Sequence, residues 1–326
     1  SALCQPRANL PEQPGIAASP GLHFEKLNMR MNPELASCTI CPQKCGVNRY
    51  EKLGFCRAGS EIKINLAQLH HGELRCRFCQ NHEISHLGWG RYYTRKECVK
   101  LILELQKAGA HNINFVSPTH FSLQLAEVIR DAKAAGLTIP VVWNSNAYEK
   151  VETLVRLEGL VDIYLPDYKY AHNAYSQKYS QAKDYPRIAL EAIHEMQRQV
   201  GELQLDSQGI AQRGLLIRHL VLPNGISGSR KALYELREKL GAEIAVSLMS
   251  QYYPTLQAAE HKELSRGISF EEYQDALEAA RELEIDLIFT QELSPSSDWT
   301  PQFTERGSKL EGKNLHFRGK HIHAKV

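Results

Sequence analysis

The chain has no excess of charge of either sign, no long apolar run, no internal repeat and no low-complexity tract. Its 39 basic and 37 acidic residues give a formal net charge of +2, so no electrostatic field draws it toward nucleic acid. No apolar stretch approaches the roughly 20 residues that cross a bilayer. Ser1-Ala2-Leu3-Cys4 has no charged region leading into an apolar one, so it does not read as a secretory leader. These absences predict a cytoplasmic protein with neither a membrane nor a nucleic-acid partner.

What is present suits an enzyme-sized α/β fold. With 326 residues, 43% hydrophobic and 23% charged, the chain can bury one large core and carry a small appendage. Of its eight cysteines, Cys38, Cys41, Cys45 and Cys56 form one tight set, and Cys76 with Cys79 a second. In a reducing compartment such spacing points to metal rather than to disulfides. The spacing Cys38-x2-Cys41-x3-Cys45-x10-Cys56 can close a tetrahedral thiolate site, with zinc or an iron–sulfur cluster as the two candidates. Cys76-x2-Cys79 reads as the end of a Cys-x3-Cys-x2-Cys iron–sulfur motif, but Gly72 stands where the first thiolate belongs. Two buried or redox-pairing cysteines are the alternative. Cys98 falls on the apolar face of an expected helix, where a small buried hydrophobe is the usual meaning of a cysteine.

Along the chain, residues 1–37 are rich in proline and read as an extended arm. Residues 38–73 read as a Cys-rich metal lobe that includes an alternating strand at 61–66. Residues 74–291 alternate strand and helix, the pattern of a parallel α/β sheet or barrel. Expected strands are 112–116, 139–143, 161–165, 215–222, 244–248 and 285–290. Thr94-x-x-Glu97 and Ser269-x-x-Glu272 are capping boxes, and Pro186 opens a helix. Residues 203–213 read as a hairpin, and 292–326 as a solvated tail.

Several segments together resemble the radical S-adenosylmethionine superfamily, and within it the group of pyruvate formate-lyase activating enzyme. They are Cys-Thr-Ile-Cys-Pro-Gln-Lys-Cys-Gly-Val-Asn-Arg at 38–49 and Leu-Arg-Cys-Arg-Phe-Cys-Gln-Asn at 74–81. Further matches are Asn-Ile-Asn-Phe-Val-Ser-Pro-Thr-His-Phe at 112–121, Val-Asp-Ile-Tyr-Leu-Pro-Asp-Tyr-Lys-Tyr at 161–170 and Ile-Arg-His-Leu-Val-Leu-Pro-Asn at 217–224. The resemblance implies a radical SAM-type partial (β/α)6 barrel with a small Cys-rich N-terminal lobe. It also implies a [4Fe-4S] cluster on Cys76 and Cys79, S-adenosylmethionine as cofactor, and reductive cleavage to a 5′-deoxyadenosyl radical that abstracts hydrogen. By the same resemblance the partners are an electron donor such as flavodoxin or ferredoxin and, as substrate, a glycyl radical enzyme or another molecule, with nothing in these residues specifying a protein over a small molecule. Relatives carry a strand ending in Ser-Gly-Cys-Asn before Leu-Arg-Cys, whereas here Glu73 passes directly to Leu74. One deletion accounts for both a missing strand and a missing cysteine, and predicts either that Glu73 and Leu74 stand further apart than a peptide bond or that the barrel mouth has a strand-wide hole there. A non-catalytic metal protein on a degenerate scaffold is the rival reading. A methyltransferase would want a glycine-rich loop after its first strand, and none is present.

The resemblance also assigns the site. Phe78 would pack near the adenine. Ser117 and Thr119 would meet the methionine amino group, with Thr119 as a helix cap the alternative. Asn144 and Ser145 suit the ribose. Asp167 and Lys169 match the family's Asp-x-Lys element, with Lys169 pairing the cofactor carboxylate, and a surface ion pair is the alternative. Arg218 interrupts an apolar strand and so faces the mouth or an anion; Gln251 is a weaker candidate.

Overall fold

The computed structural model describes residues 32–64, 74–79, 90–291 and 293. The chain divides into two compact units, 1–32 and 33–326, and the architecture lies in the second. A short antiparallel pair, β1 (Ile62–Ile64) and β2 (Arg91–Tyr93), stands apart from the main sheet. The main sheet has six parallel strands in the order β3 (Ile113–Val116), β4 (Val141–Ser145), β5 (Ile163–Pro166), β7 (Ala211–Leu220), β8 (Ala245–Met249) and β9 (Leu287–Thr290). A two-residue strand, β6 (Gln204–Leu205), turns back antiparallel onto β7.

Helices fill the crossovers, as parallel neighbours require. After α1 (Pro33–Ala36) and α2 (Arg95–Lys107), α3 (Ser122–Ala134) joins β3 to β4 and α4 (Val151–Val155) joins β4 to β5. Next, α5 (Asn173–Ser180) and α6 (Tyr185–Val200) precede β6 and β7, and α7 (Ser229–Leu240) joins β7 to β8. The last crossover carries α8 (Leu256–Ala259) and α9 (Phe270–Glu282). Residues alternate across the strands with period two. Val142, Ile163, Leu165, Leu216 and Ala245 form an inner cluster, while Val141, Trp143, Tyr164, Leu215, Ile217 and Val246 pack outward with the helices. β3 and β9 end the sheet without pairing to each other. The fold is therefore an open, partial α/β barrel of six parallel strands, the architecture that the sequence predicts.

Both expected capping boxes form, Thr94 with Glu97 on α2 and Ser269 with Glu272 on α9. The expected strand at 139–143 begins two residues later, because Pro140 has no N–H to give a ladder and only its carbonyl is used, by Ile113 N. α5 is absent from the sequence expectation. Its apolar periodicity is weak, and only the Tyr175–Tyr179 spacing and a left-handed Gln181 at its end mark it.

The Glu73 side of the suspected deletion, His70, His71, Gln80, Asn81, residues 1–31 and residues 313–326 lie outside the described residues. Among the described residues, β3 has β4 as its one ladder partner, so no described strand occupies the place expected before the Cys76 loop.

Candidate cofactor site at the barrel mouth

In a parallel barrel the loops after the strands converge at one end. Asp167 follows β5 and pairs as a parallel bridge with Arg218 of β7. Its carboxylate accepts from Lys169 Nζ through Oδ2, and Oδ1 lies 2.7 Å from Arg218 Nη2. The same Nη2 donates to Asn144 Oδ1 at 2.7 Å. Arg218 Nε is buried with no partner among the described residues. Two cations thus share one carboxylate, which leaves a positive, part-buried corner suited to an anion. Burial pushes the Asp167 carboxyl upward, but the Arg218 and Lys169 charges outweigh it and hold the group below its ordinary range. Burial likewise lowers Lys169, and the Asp167 charge more than reverses this.

Tyr185 braces the cluster from α6. Its hydroxyl accepts from Lys169 N at 3.0 Å and lies 2.8 Å from Asp167 O and 2.9 Å from Asn146 O. Ser145 is 2% exposed, and its Oγ accepts from Ala147 N at 3.2 Å, so this hydroxyl shapes its own loop.

The Cys76–Cys79 turn sits beside this cluster because α5 holds it. Arg75 N donates to Ser180 O and Arg77 N to Tyr179 O, at 3.1 and 2.8 Å. Ser180 Oγ donates to Cys76 Sγ at 3.0 Å. Burial pushes the Cys76 thiol up to about 11, and the nearby Lys169 charge opposes that rise. Phe78 is buried edge-on to Tyr170 and Tyr252, at centroid distances of 6.3 and 5.9 Å. Gln251 is half-buried in the loop after β8.

Ser117 ends β3 at φ +51°, in the left-handed region that non-glycine residues rarely adopt, and its N–H donates to Asn144 O at 2.7 Å. Thr119 is 1% exposed, and its hydroxyl donates to buried Glu149, which also accepts from Trp143 Nε1 at 3.0 Å. The structure therefore turns this hydroxyl toward the core. Sequence reasoning missed Glu149, a carboxylate four residues beyond Ser145 with no motif to mark it.

Cys38, Cys41 and Cys56 are buried and Cys45 half-buried. A Cβ at Gly54 would lie 3.4 Å from Cys56 Sγ and 3.6 Å from Cys45 Sγ, so these two sulfurs flank one glycine. No three His, Cys, Asp or Glu side chains converge as a metal site among the described residues, so the zinc or iron–sulfur site expected of Cys38, Cys41, Cys45 and Cys56 is not formed there. Cys98 is buried on α2, its thiol pushed up to about 12 by burial. Cys76 and Cys79 thus offer two thiolates, and the described residues add no third. The Asp167, Lys169 and Arg218 corner, by contrast, fits the carboxylate of an amino-acid cofactor.

No family model matches the chain. Uncharacterized protein MJ0674 of Methanocaldococcus jannaschii is 31% identical over 278 residues, covering 78% of this chain and 77% of that protein. The chain belongs to the family of that protein. Solved structures it is similar to include HydG, a maturase of the [FeFe]-hydrogenase, at 15% identity and TM-score 0.47, covering 68% of this chain. This chain spans about half of that one, 48%. Methylornithine synthase (PylB) is similar at 13% identity and TM-score 0.45, covering 78% of this chain and 79% of its own. A domain of pyruvate-formate lyase-activating enzyme from Bacteroides vulgatus is similar at 14% and 0.40, covering 56% and 99%. At these values the structural likenesses carry no argument about activity. Among the described residues no helix is long and apolar enough to cross a membrane.

Proposed function

We propose that this protein is a radical S-adenosylmethionine enzyme. The observation that carries the reading is the Cys76–Cys79 turn standing within electrostatic reach of Lys169 and Asp167 at the strand ends of a parallel barrel. Lys169 and Arg218 would orient the cofactor carboxylate, with Asp167 holding both cations in place. Phe78, Tyr170 and Tyr252 would supply an apolar wall that excludes water. A cluster held by Cys76 and Cys79 would supply one-electron reductive chemistry to bound S-adenosylmethionine, and the protein would contribute orientation. The finer assignments belong to the same proposal: a flavodoxin or ferredoxin as electron donor, and a glycyl radical enzyme or another molecule as substrate.

Gly72 favours a second reading, in which the scaffold binds S-adenosylmethionine without cleaving it. One experiment separates them. Protein reconstituted anaerobically with iron and sulfide, reduced and given S-adenosylmethionine should release 5′-deoxyadenosine, and Cys76→Ala should abolish the release. Cofactor binding without 5′-deoxyadenosine supports the second reading.

A further inference from the structure

Arg49 is 2% exposed and lies in the Cys-rich lobe. Its Nε and Nη2 donate to Gly59 O and its Nη1 to His120 O, while its guanidinium stands 5.5 Å from the centroid of Phe121. Among the described residues no carboxylate neutralises it. Burying a cation against carbonyl dipoles alone is costly. Joining lobe to barrel does not require it, because neutral groups already do so. Gln124 Nε2 donates to Ser60 O and Thr153 Oγ1 to Ile40 O, each at 2.9 Å. What Arg49 adds is a rigid plane whose Nε and Nη2 grip Gly59 O in the lobe and whose Nη1 donates to the carbonyl of His120, the last residue of the strained Ser117–His120 loop.

We infer that Arg49 is a positioning residue for the cofactor site: it fixes the Ser117–His120 loop from the lobe side, in addition to the hold of Glu149 on Thr119, and makes the Cys-rich lobe part of that site. The inference rests on the reading that this loop faces the cofactor amino group. A lysine keeps the charge but cannot hold two carbonyls in one plane, so a misplaced loop should follow from so small a change.

The test is titration calorimetry of the full chain with S-adenosylmethionine. Arg49→Lys is expected to weaken binding by about ten-fold or more, while Gln124→Ala, which cuts a different lobe–barrel bond, leaves affinity unchanged even where it lowers the melting temperature. Millimolar methylguanidinium is expected to restore affinity to Arg49→Ala. If Arg49→Lys does not fold, Phe121→Leu, which removes the ring beneath the guanidinium, is expected to weaken binding several-fold. Wild-type affinity in Arg49→Lys, or in Phe121→Leu where that variant stands in, overturns the inference alone, as does equal weakening by Gln124→Ala. No binding by the wild-type chain overturns the proposed function and the inference with it.

Discussion

Asp167 holds two cations that have little other compensation, so its loss exposes what the cluster costs. Lys169, Asp167 and Arg218 side chains are 18%, 11% and 27% exposed. Asp167→Asn leaves two positive charges facing each other in a part-buried corner and is expected to destabilise the fold by about 3–5 kcal/mol, read from urea midpoints. Lys169→Ala removes one charge-assisted contact and is expected to weaken S-adenosylmethionine binding about ten- to a hundred-fold without unfolding the chain; unchanged affinity would remove Lys169 from the site. His219 makes a pH prediction. A carbonyl only accepts, so Nδ1–H donates to Tyr168 O at 2.6 Å, and Nε2 then accepts from Ser229 Oγ at 3.0 Å. Burial lowers its pKa to about 4 from an ordinary 6.5. The unfolded chain therefore binds the proton more tightly, and stability is full above pH 6.5 and falls as pH drops toward 4. The slope from this residue should approach about 1.4 kcal/mol per pH unit. His219→Asn keeps a donor for Tyr168 O and should flatten the stability curve between pH 4.5 and 6.5; an unaltered slope would exclude His219 as its source.

At the scale of elements, two junctions set the barrel. Gly214 in β7 has φ +114°, and a Cβ there would lie 2.1 Å from Glu202 O, which is backbone and cannot swing away. Gly214→Ala must therefore separate β7 from the β6 turn, and a loss of at least about 3 kcal/mol is expected. Thermal unfolding checks it, and a near-native melting temperature would mean that the turn relaxes freely. At the start of α9, Ser269 Oγ accepts from Glu272 N at 3.2 Å and Glu272 accepts from Ser269 N at 2.8 Å. Arg266 above all, with the Ser269 and Asn224 N–H groups, holds the Glu272 carboxyl down at about 2 against the rise from burial. Ser269→Ala should cost about 1 kcal/mol, the ordinary value of an N-cap.

For the whole molecule, an open sheet has two ends where each edge strand has a single ladder neighbour. Among the described residues, the central strands β4, β5, β7 and β8 are bonded on both sides, whereas β3 and β9 are bonded on one. Hydrogen exchange should accordingly protect the central strands to near the global unfolding free energy and let β3 and β9 exchange first. Protection of β3 equal to that of β5 would mean that a further strand covers β3 in solution, which bears directly on the junction between Glu73 and Leu74.

Local patterns in the sequence set the α/β class, all six parallel strands, five of them to within two residues and β7 with a start four residues earlier than expected, and both long-helix caps. These depend on local periodicity and on side chains three residues apart. The sequence also marked Cys76, Cys79, Asp167, Lys169, Asn144 and Arg218 individually. Their company is set by the assembled fold. Asp167 and Arg218 are 51 positions apart, and they meet because β5 and β7 are parallel neighbours in register. The Cys76 turn rests on α5, a helix too weakly patterned to read, whose backbone carbonyls receive it from about a hundred residues away. Thr119 reads as a cofactor ligand from its place after β3, yet its hydroxyl is taken by Glu149, which no local pattern could reveal. Hydrogen-bond partners brought together by the chain's return are set by register and packing, and those are properties of the assembled barrel rather than of any segment.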